Sequence, residues 1–163
     1  MLKSLCIAFS TFSRIPVPRV EWNEKSLRWA VCFFPLIGVV IGAAELLWFQ
    51  LSALLHLPML LRGGVAAAVP ILLTGGIHLD GFCDTADALA SHQSRERMLE
   101  ILKDSNAGAF AVIYFGVWLM LWFSAWSTLS SVGSVLAASL GFVLSRALSG
   151  LALTRWQQAR PAG

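Results

Sequence analysis

The chain runs to 163 residues, of which 57% are hydrophobic and 13% charged, and its mean hydropathy is +0.72. Soluble domains carry roughly 25% charged residues, so the composition excludes an ordinary water-soluble globule and indicates an all-α, polytopic integral membrane helical bundle. The formal net charge of +3 comes without a basic run, so it speaks for membrane topology and not for nucleic acid.

Seven Trp and ten Phe against one Tyr fit lipid contact. Cys6, Cys32 and Cys83 are odd in number and form no CxxC pair, which reads as small buried hydrophobes without a disulfide framework. No repeat, low-complexity run or linker divides the chain, so residues 1–163 are expected to form a single membrane domain.

Residues 1–28 form an N-terminal interfacial segment. Leu2, Leu5, Cys6, Phe9 and Phe12 recur at helical spacing with Ser and Lys opposite, which predicts an amphipathic helix in the membrane surface. Its hydrophobic run is short and lacks a small-residue cleavage site, unlike a cleaved signal peptide. The helix should stop at Ile15-Pro16-Val17-Pro18, because a residue before proline is pushed out of the α region.

Trp29 to Leu55 is the clearest span, with Glu45 its single charge, against the ~20 apolar residues needed to cross hydrocarbon. Pro35 is expected to kink it, and Gly38 and Gly42 form a GxxxG step that lets another helix approach closely. No role for Glu45 follows from the sequence. After a turn at His56 to Arg62, Gly63 to His78 covers only about 24 Å at ~1.5 Å per residue. That segment must break or continue into the stretch beyond. Ala109 to Leu129 and Val132 to Thr154 complete about four crossings.

Lys and Arg number five in residues 1–28, one in 56–63, three in 78–107, none in 130–131 and two in 155–163. With the N-terminus inside, ten of these eleven charges are cytoplasmic. The positive-inside rule therefore puts residues 78–108 on the cytoplasmic side.

That stretch holds all four aspartates: Asp80, Asp84, Asp87 and Asp104. The first three stand at i, i+4 and i+7, within roughly 60° of helical arc and about 5–6 Å apart along the axis. Gly75-Gly76 ends the preceding helix, and Asp80 is placed to cap the next. Three such carboxylates repel one another unless one is protonated or a cation sits among them. All-oxygen ligation favours Mg²⁺, Mn²⁺ or Ca²⁺ over zinc. Exposure to lipid would cost about 8–10 kcal/mol for the three, so the face looks to water or to protein. The plainer alternative is a solvated acidic helix start favoured by the helix dipole.

His78 reads as a polar hinge more readily than as a metal ligand. Ser94 to Lys103 should form an interfacial amphipathic helix, with Met98, Leu99, Ile101 and Leu102 on one side. The loop Lys103-Asp104-Ser105-Asn106-Ala107-Gly108 offers a lysine, a hydroxyl and a glycine at a helix entrance. That set can hold a phosphate, or serve as a snorkelling lysine and a cap. Arg146 lies about 12 Å inside its span by helical rise, near enough to the inner surface to reach an anion there.

HLDGFCDTADAL (His78–Leu89) followed by RERMLEILKDSNAGAF (Arg95–Phe110) resembles the cobalamin-5′-phosphate synthase family, the adenosylcobinamide-GDP ribazoletransferases. Further matches are Phe12 to Pro18, Phe34 to Gly38, Thr74-Gly75-Gly76 and Ser145-Arg146. Cys83 and Ala88 depart from the small residue and glycine usual there. Family members normally continue through further hydrophobic helices and a second Gly/Asp/Glu-containing motif.

The resemblance implies an enzyme of the last step of cobalamin nucleotide-loop assembly, in the inner membrane of a prokaryote. A ribose hydroxyl of α-ribazole, or of its 5′-phosphate, attacks the cobinamide-side phosphorus of adenosylcobinamide-GDP, and GMP leaves. It implies Mg²⁺ as cofactor, held by Asp80, Asp84 and Asp87. It also implies Asp84, Lys103 and Asp104 as catalytic residues, and Arg14, His78, Ser105 and Arg146 as substrate-binding ones. The bilayer is a partner and nucleic acid is not; self-association stays open. Two other classes remain beside this one. A CDP-alcohol phosphotransferase also uses spaced aspartates and Mg²⁺, but Asp80-Gly81 is not followed by the Ala-Arg of that motif. A cation-binding membrane protein or non-catalytic partner would need the aspartates in a pore or at an assembly face.

Overall fold

A computed structural model describes residues 1–21, 23, 26 and 29–156. Seven α-helices occur among them: α1 (Leu2–Phe12), α2 (Phe34–Leu54), α3 (Met59–Thr74), α4 (Ile77–Ala90), α5 (Arg95–Ile101), α6 (Ala109–Thr128) and α7 (Val132–Arg155). No strand occurs among the described residues, so the all-α expectation holds. Three stretches are long and apolar enough to cross a membrane: Val31–Leu54, α6 and α7. The bent pair α3–α4 makes a fourth if it counts as one span. The end of the N-terminal connector and residues 157–163 lie outside the described set. The chain folds as two compact units, residues 1–57 with 129–163, and residues 58–128.

In the first unit α2 packs along α7. A Cβ on Gly38 would fall 2.6 Å from the Phe142 carbonyl oxygen, and one on Gly42 would fall 3.0 Å from Ser139 Cβ. The GxxxG step therefore serves as expected, its bare backbone admitting α7. Pro35 occupies the first turn of α2 behind a 3-10 turn at Val31–Phe33, where a missing N–H costs nothing. α1 forms as expected but buries Ser4, Cys6, Ile7 and Ala8 and leaves Leu2 exposed. Its inner face is set by small residues that let Ile7 and Ala8 meet Ala30, with Val20 and Phe33 around them. Phe12 closes this end on Phe34, ring centroids 4.4 Å apart. Outward, Leu140, Leu144, Leu148 and Leu151 form an exposed stripe on α7. An apolar stripe with no core beneath it is what lipid solvates.

In the second unit α3 runs beside α6. A Cβ on Gly63 would fall 2.7 Å from Ser127 Cα, and Trp122 Nε1 donates to the Ala67 carbonyl at 3.3 Å. Trp118, Trp122 and Trp126 recur every fourth residue of α6. Trp118 stacks on Trp122 at 5.4 Å, and Trp126 meets Trp122 edge-on at 5.7 Å. Phe82 of α4 reaches the same column, 6.5 Å from Trp118. Thr74 closes α3 by donating its hydroxyl to the Pro70 carbonyl at 2.8 Å.

Of the cysteines, Cys6 is buried as expected, whereas Cys32 is exposed and Cys83 half-buried; all three are free thiols. Cys32 sits in the 3-10 turn, none of whose residues is buried.

Candidate active site on α4 and the Lys103–Gly108 turn

The short α3 breaks as its length requires. Gly75 (φ +66°) and Gly76 (φ +79°) are consecutive left-handed residues, and α4 leaves α3 at 92°. No atom lies within 4 Å of a Cβ on Gly76, so the backbone angle calls for glycine there, not a lack of space. The bend takes α4, with its three aspartates, out of the line of the crossing. Asp80 does not cap α4. The N-cap is Gly76, and Asp80 sits in the first turn with its N–H donating to the Gly76 carbonyl at 2.9 Å. Its carboxylate there still complements the helix dipole.

Asp80 is exposed, and Asp84 and Asp87 are half-buried. Asp80 also lines a shallow concavity of about 600 Å³ with Gly75, Gly76, Ile77, Leu79, Cys83 and Phe115. Partial desolvation, and then the charges of Asp80 and Asp87, raise the Asp84 carboxyl above the usual carboxylate range. The same causes, with Asp84 included, push the Cys83 thiol up, so it is not an activated thiolate.

The three acids meet different partners. Both oxygens of Asp87 are engaged across the chain: Gly108 N–H donates to Oδ2 at 2.6 Å and Ala111 N–H to Oδ1 at 2.9 Å. Among the described residues no three His, Cys, Asp or Glu side chains gather into a metal-holding group. Mg²⁺ is commonly held by one or two carboxylates, several waters and substrate phosphates, a set to which Asp80 and Asp84 would contribute the carboxylates.

α5 begins at Ser94, whose hydroxyl accepts from Arg97 N–H at 3.4 Å. As expected it is amphipathic, with Met98 and Leu99 half-buried and its charged residues exposed. Arg97 pairs with Glu100 at 2.6 Å in full solvent, a contact worth about 0–1 kcal/mol. The turn beyond is built on Asp104, whose Oδ1 accepts from the Asn106 N–H at 2.9 Å and its Nδ2 at 2.8 Å. The backbone bond, and then the side-chain bond, hold the Asp104 carboxyl below its ordinary value. Asp104 thus shapes the turn that displays Lys103 and Ser105 to solvent. Among the described residues no ion pair joins Lys103 to the aspartates of α4.

His78 is exposed in the first turn of α4. Arg14 and Arg146 belong to the first unit. Arg14 is exposed just after α1. Arg146 is 8% exposed, with Cζ 5.5 Å from the Phe142 ring centroid, so it is packed within its own unit. Sequence reasoning placed Gly108 at the helix entrance but missed its contact with Asp87, and it gave no role to Asn106 or Phe115. The Asp-x-Asn spacing of a turn signals Asn106, whereas no local pattern marks Phe115 or the Asp87 contact of Gly108.

A family profile described as cobalamin-5-phosphate synthase matches residues 4–163. An adenosylcobinamide-GDP ribazoletransferase of Lachnoclostridium phytofermentans is 52% identical over 162 residues, which cover 99% of this chain and 62% of that protein. Proteins of the same name from Desulfitobacterium hafniense and Clostridium perfringens are 40% and 39% identical, over 85% and 77% of this chain and 55% and 50% of theirs. The chain thus spans less than two thirds of the length of these relatives. No solved structure matches it. With the profile running through both units and the aspartate helix and Lys103–Gly108 turn lying inside it, the chain belongs to the cobalamin-5-phosphate synthase family.

Proposed function

We propose that this chain carries the acidic site of an adenosylcobinamide-GDP ribazoletransferase, joining α-ribazole or its 5′-phosphate to adenosylcobinamide-GDP with release of GMP. The observation that carries the reading is the attachment of the Lys103–Gly108 turn to the aspartate helix through Asp87, in a chain 52% identical to a protein of that name.

The ribose hydroxyl forms a new P–O bond to the cobinamide-side phosphorus as the diphosphate P–O bond breaks, and GMP takes the bonding electron pair. Such transfers depend on positioning and charge neutralisation more than on covalent catalysis. Asp80 and Asp84 would hold Mg²⁺, which neutralises charge on the diphosphate and on departing GMP. Asp84 takes the hydroxyl proton. Lys103 and Ser105 bind phosphate oxygens, and Asp104 holds the turn that presents them. The Lys/Arg count supports a site on the cytoplasmic face of the membrane, where nucleotides are available, and the family reading makes that the inner membrane.

The test is GMP release by the purified 163-residue chain in nanodiscs, given adenosylcobinamide-GDP and α-ribazole with and without Mg²⁺. Mg²⁺-dependent release is expected. No release from the unmodified chain would sink the reading, and release of CMP from a CDP-alcohol would replace it.

A further inference from the structure

Asp87 shares the helical face of Asp80 and Asp84, yet its environment is different. Both of its oxygens accept amide protons from the first turn of α6, 21 and 24 residues further along the chain. Gly108 approaches so closely that a Cβ there would fall 2.6–2.9 Å from all three atoms of the Asp87 carboxylate group. A bare backbone at residue 108 is therefore part of the same contact. An anion at a helix N-terminus also satisfies amides that would otherwise lack partners, and it complements the dipole. The excursion between the two ends of this clasp contains α5 and the turn bearing Lys103 and Ser105.

We propose that Asp87 is a positioning residue and not a metal ligand: its carboxylate clasps Gly108 and Ala111, fixing the Lys103–Gly108 turn to the helix that carries Asp80 and Asp84. The inference rests on the transferase reading for its functional consequence and on the two hydrogen bonds for its structural one. A carboxylate already shared between two amides is poorly placed to take a cation as well, whereas Asp80 and Asp84 have no such engagement. The clasp ties the phosphate-binding turn to the metal-binding pair without any contact between Lys103 and the acids.

The experiment uses the 163-residue chain in nanodiscs as wild type, Asp87→Asn, Gly108→Ala and Asp84→Asn. Three quantities are read: amide hydrogen exchange over residues 103–111, Mn²⁺ binding by electron paramagnetic resonance, and KM and kcat for GMP release. Asp87→Asn and Gly108→Ala should each speed exchange at 108–111 by about tenfold, the loss expected of a helix cap. Both should raise KM for adenosylcobinamide-GDP more than they lower kcat, and both should leave Mn²⁺ affinity as in wild type. Asp84→Asn should do the reverse, weakening Mn²⁺ binding with the turn still protected. Asp87→Glu, which keeps the charge and both acceptors, should recover part of the lost protection. The proposal is overturned if Asp87→Asn leaves exchange at 108–111 unchanged, or if it weakens Mn²⁺ binding as much as Asp84→Asn does. A wild-type chain that releases no GMP defeats the transferase reading alone, because the exchange measurement decides the role of Asp87 without turnover.

Discussion

Asp84 and Asp104 show how one residue type acquires opposite properties from its surroundings. Desolvation and two neighbouring acids make Asp84 a stronger base than a free aspartate, while amide donors make Asp104 a weaker one. Replacing Asp84 with Asn should lower GMP release by about 10²–10⁴-fold, the range for loss of a positioned base. In the chain without Mg²⁺ the raised carboxyl takes up its proton at a pH above the ordinary aspartate value of about 3.9, which a carboxyl 13C NMR titration checks; added Mg²⁺ should lower that pH, as a neighbouring cation favours the charged form. Asp104 follows the opposite sign. Its folded pKa is depressed, so its stabilising effect on the turn is present above the ordinary aspartate value and is lost as pH falls below it through the folded value. Exchange of the Asn106 amide against pH follows that loss. At this scale the sequence was only partly legible. Helical spacing placed Asp80, Asp84 and Asp87 on one face, but nothing local marked the amides that Asp87 accepts, because they come from residues more than twenty positions away.

Between helices, glycine is required for two separate reasons. At Gly38 the obstacle is the backbone of α7, so Gly38→Ala should force α2 and α7 apart and destabilise the first unit by about 1–3 kcal/mol. At Gly76 space is free and the left-handed φ is the obstacle, so Gly76→Ala should cost about 1–2 kcal/mol. Gly116→Ala, inside α6 with open space around it, should raise stability by up to ~1 kcal/mol. Denaturant titration in mixed micelles would rank the three. The elements themselves were legible: the long apolar runs, the GxxxG step and the break forced by a short α3 all follow from counting residues against membrane thickness. The place of Pro35 in the first turn of α2 was not legible, because proline in a first turn and proline within a helix look alike until the start is known. Asp80 was misjudged because the two left-handed glycines let α4 begin four residues earlier than an aspartate cap would require.

For the whole molecule, composition fixes the environment, and the exposed leucine stripe on α7 shows where lipid lies. The sidedness inferred from charge is open to direct test. A single-cysteine variant, Ser105→Cys with Cys6, Cys32 and Cys83 replaced by Ser, should react with a membrane-impermeant maleimide in inside-out vesicles and not in right-side-out ones. The reverse pattern would place the acidic stretch on the other face. The two-unit division was not legible, because the first unit joins segments from both ends of the chain, and hydropathy carries no information on which spans pair. The column of indoles on α6 has one more consequence. Trp118 and Trp122 lie nearly parallel, 15° apart in plane, so their electronic transitions couple, and Phe82 links that pair to the aspartate helix. A ligand that shifts α4 would change the near-ultraviolet circular dichroism of this pair, giving the protein an unlabelled optical signal of occupancy that Trp118→Phe should abolish.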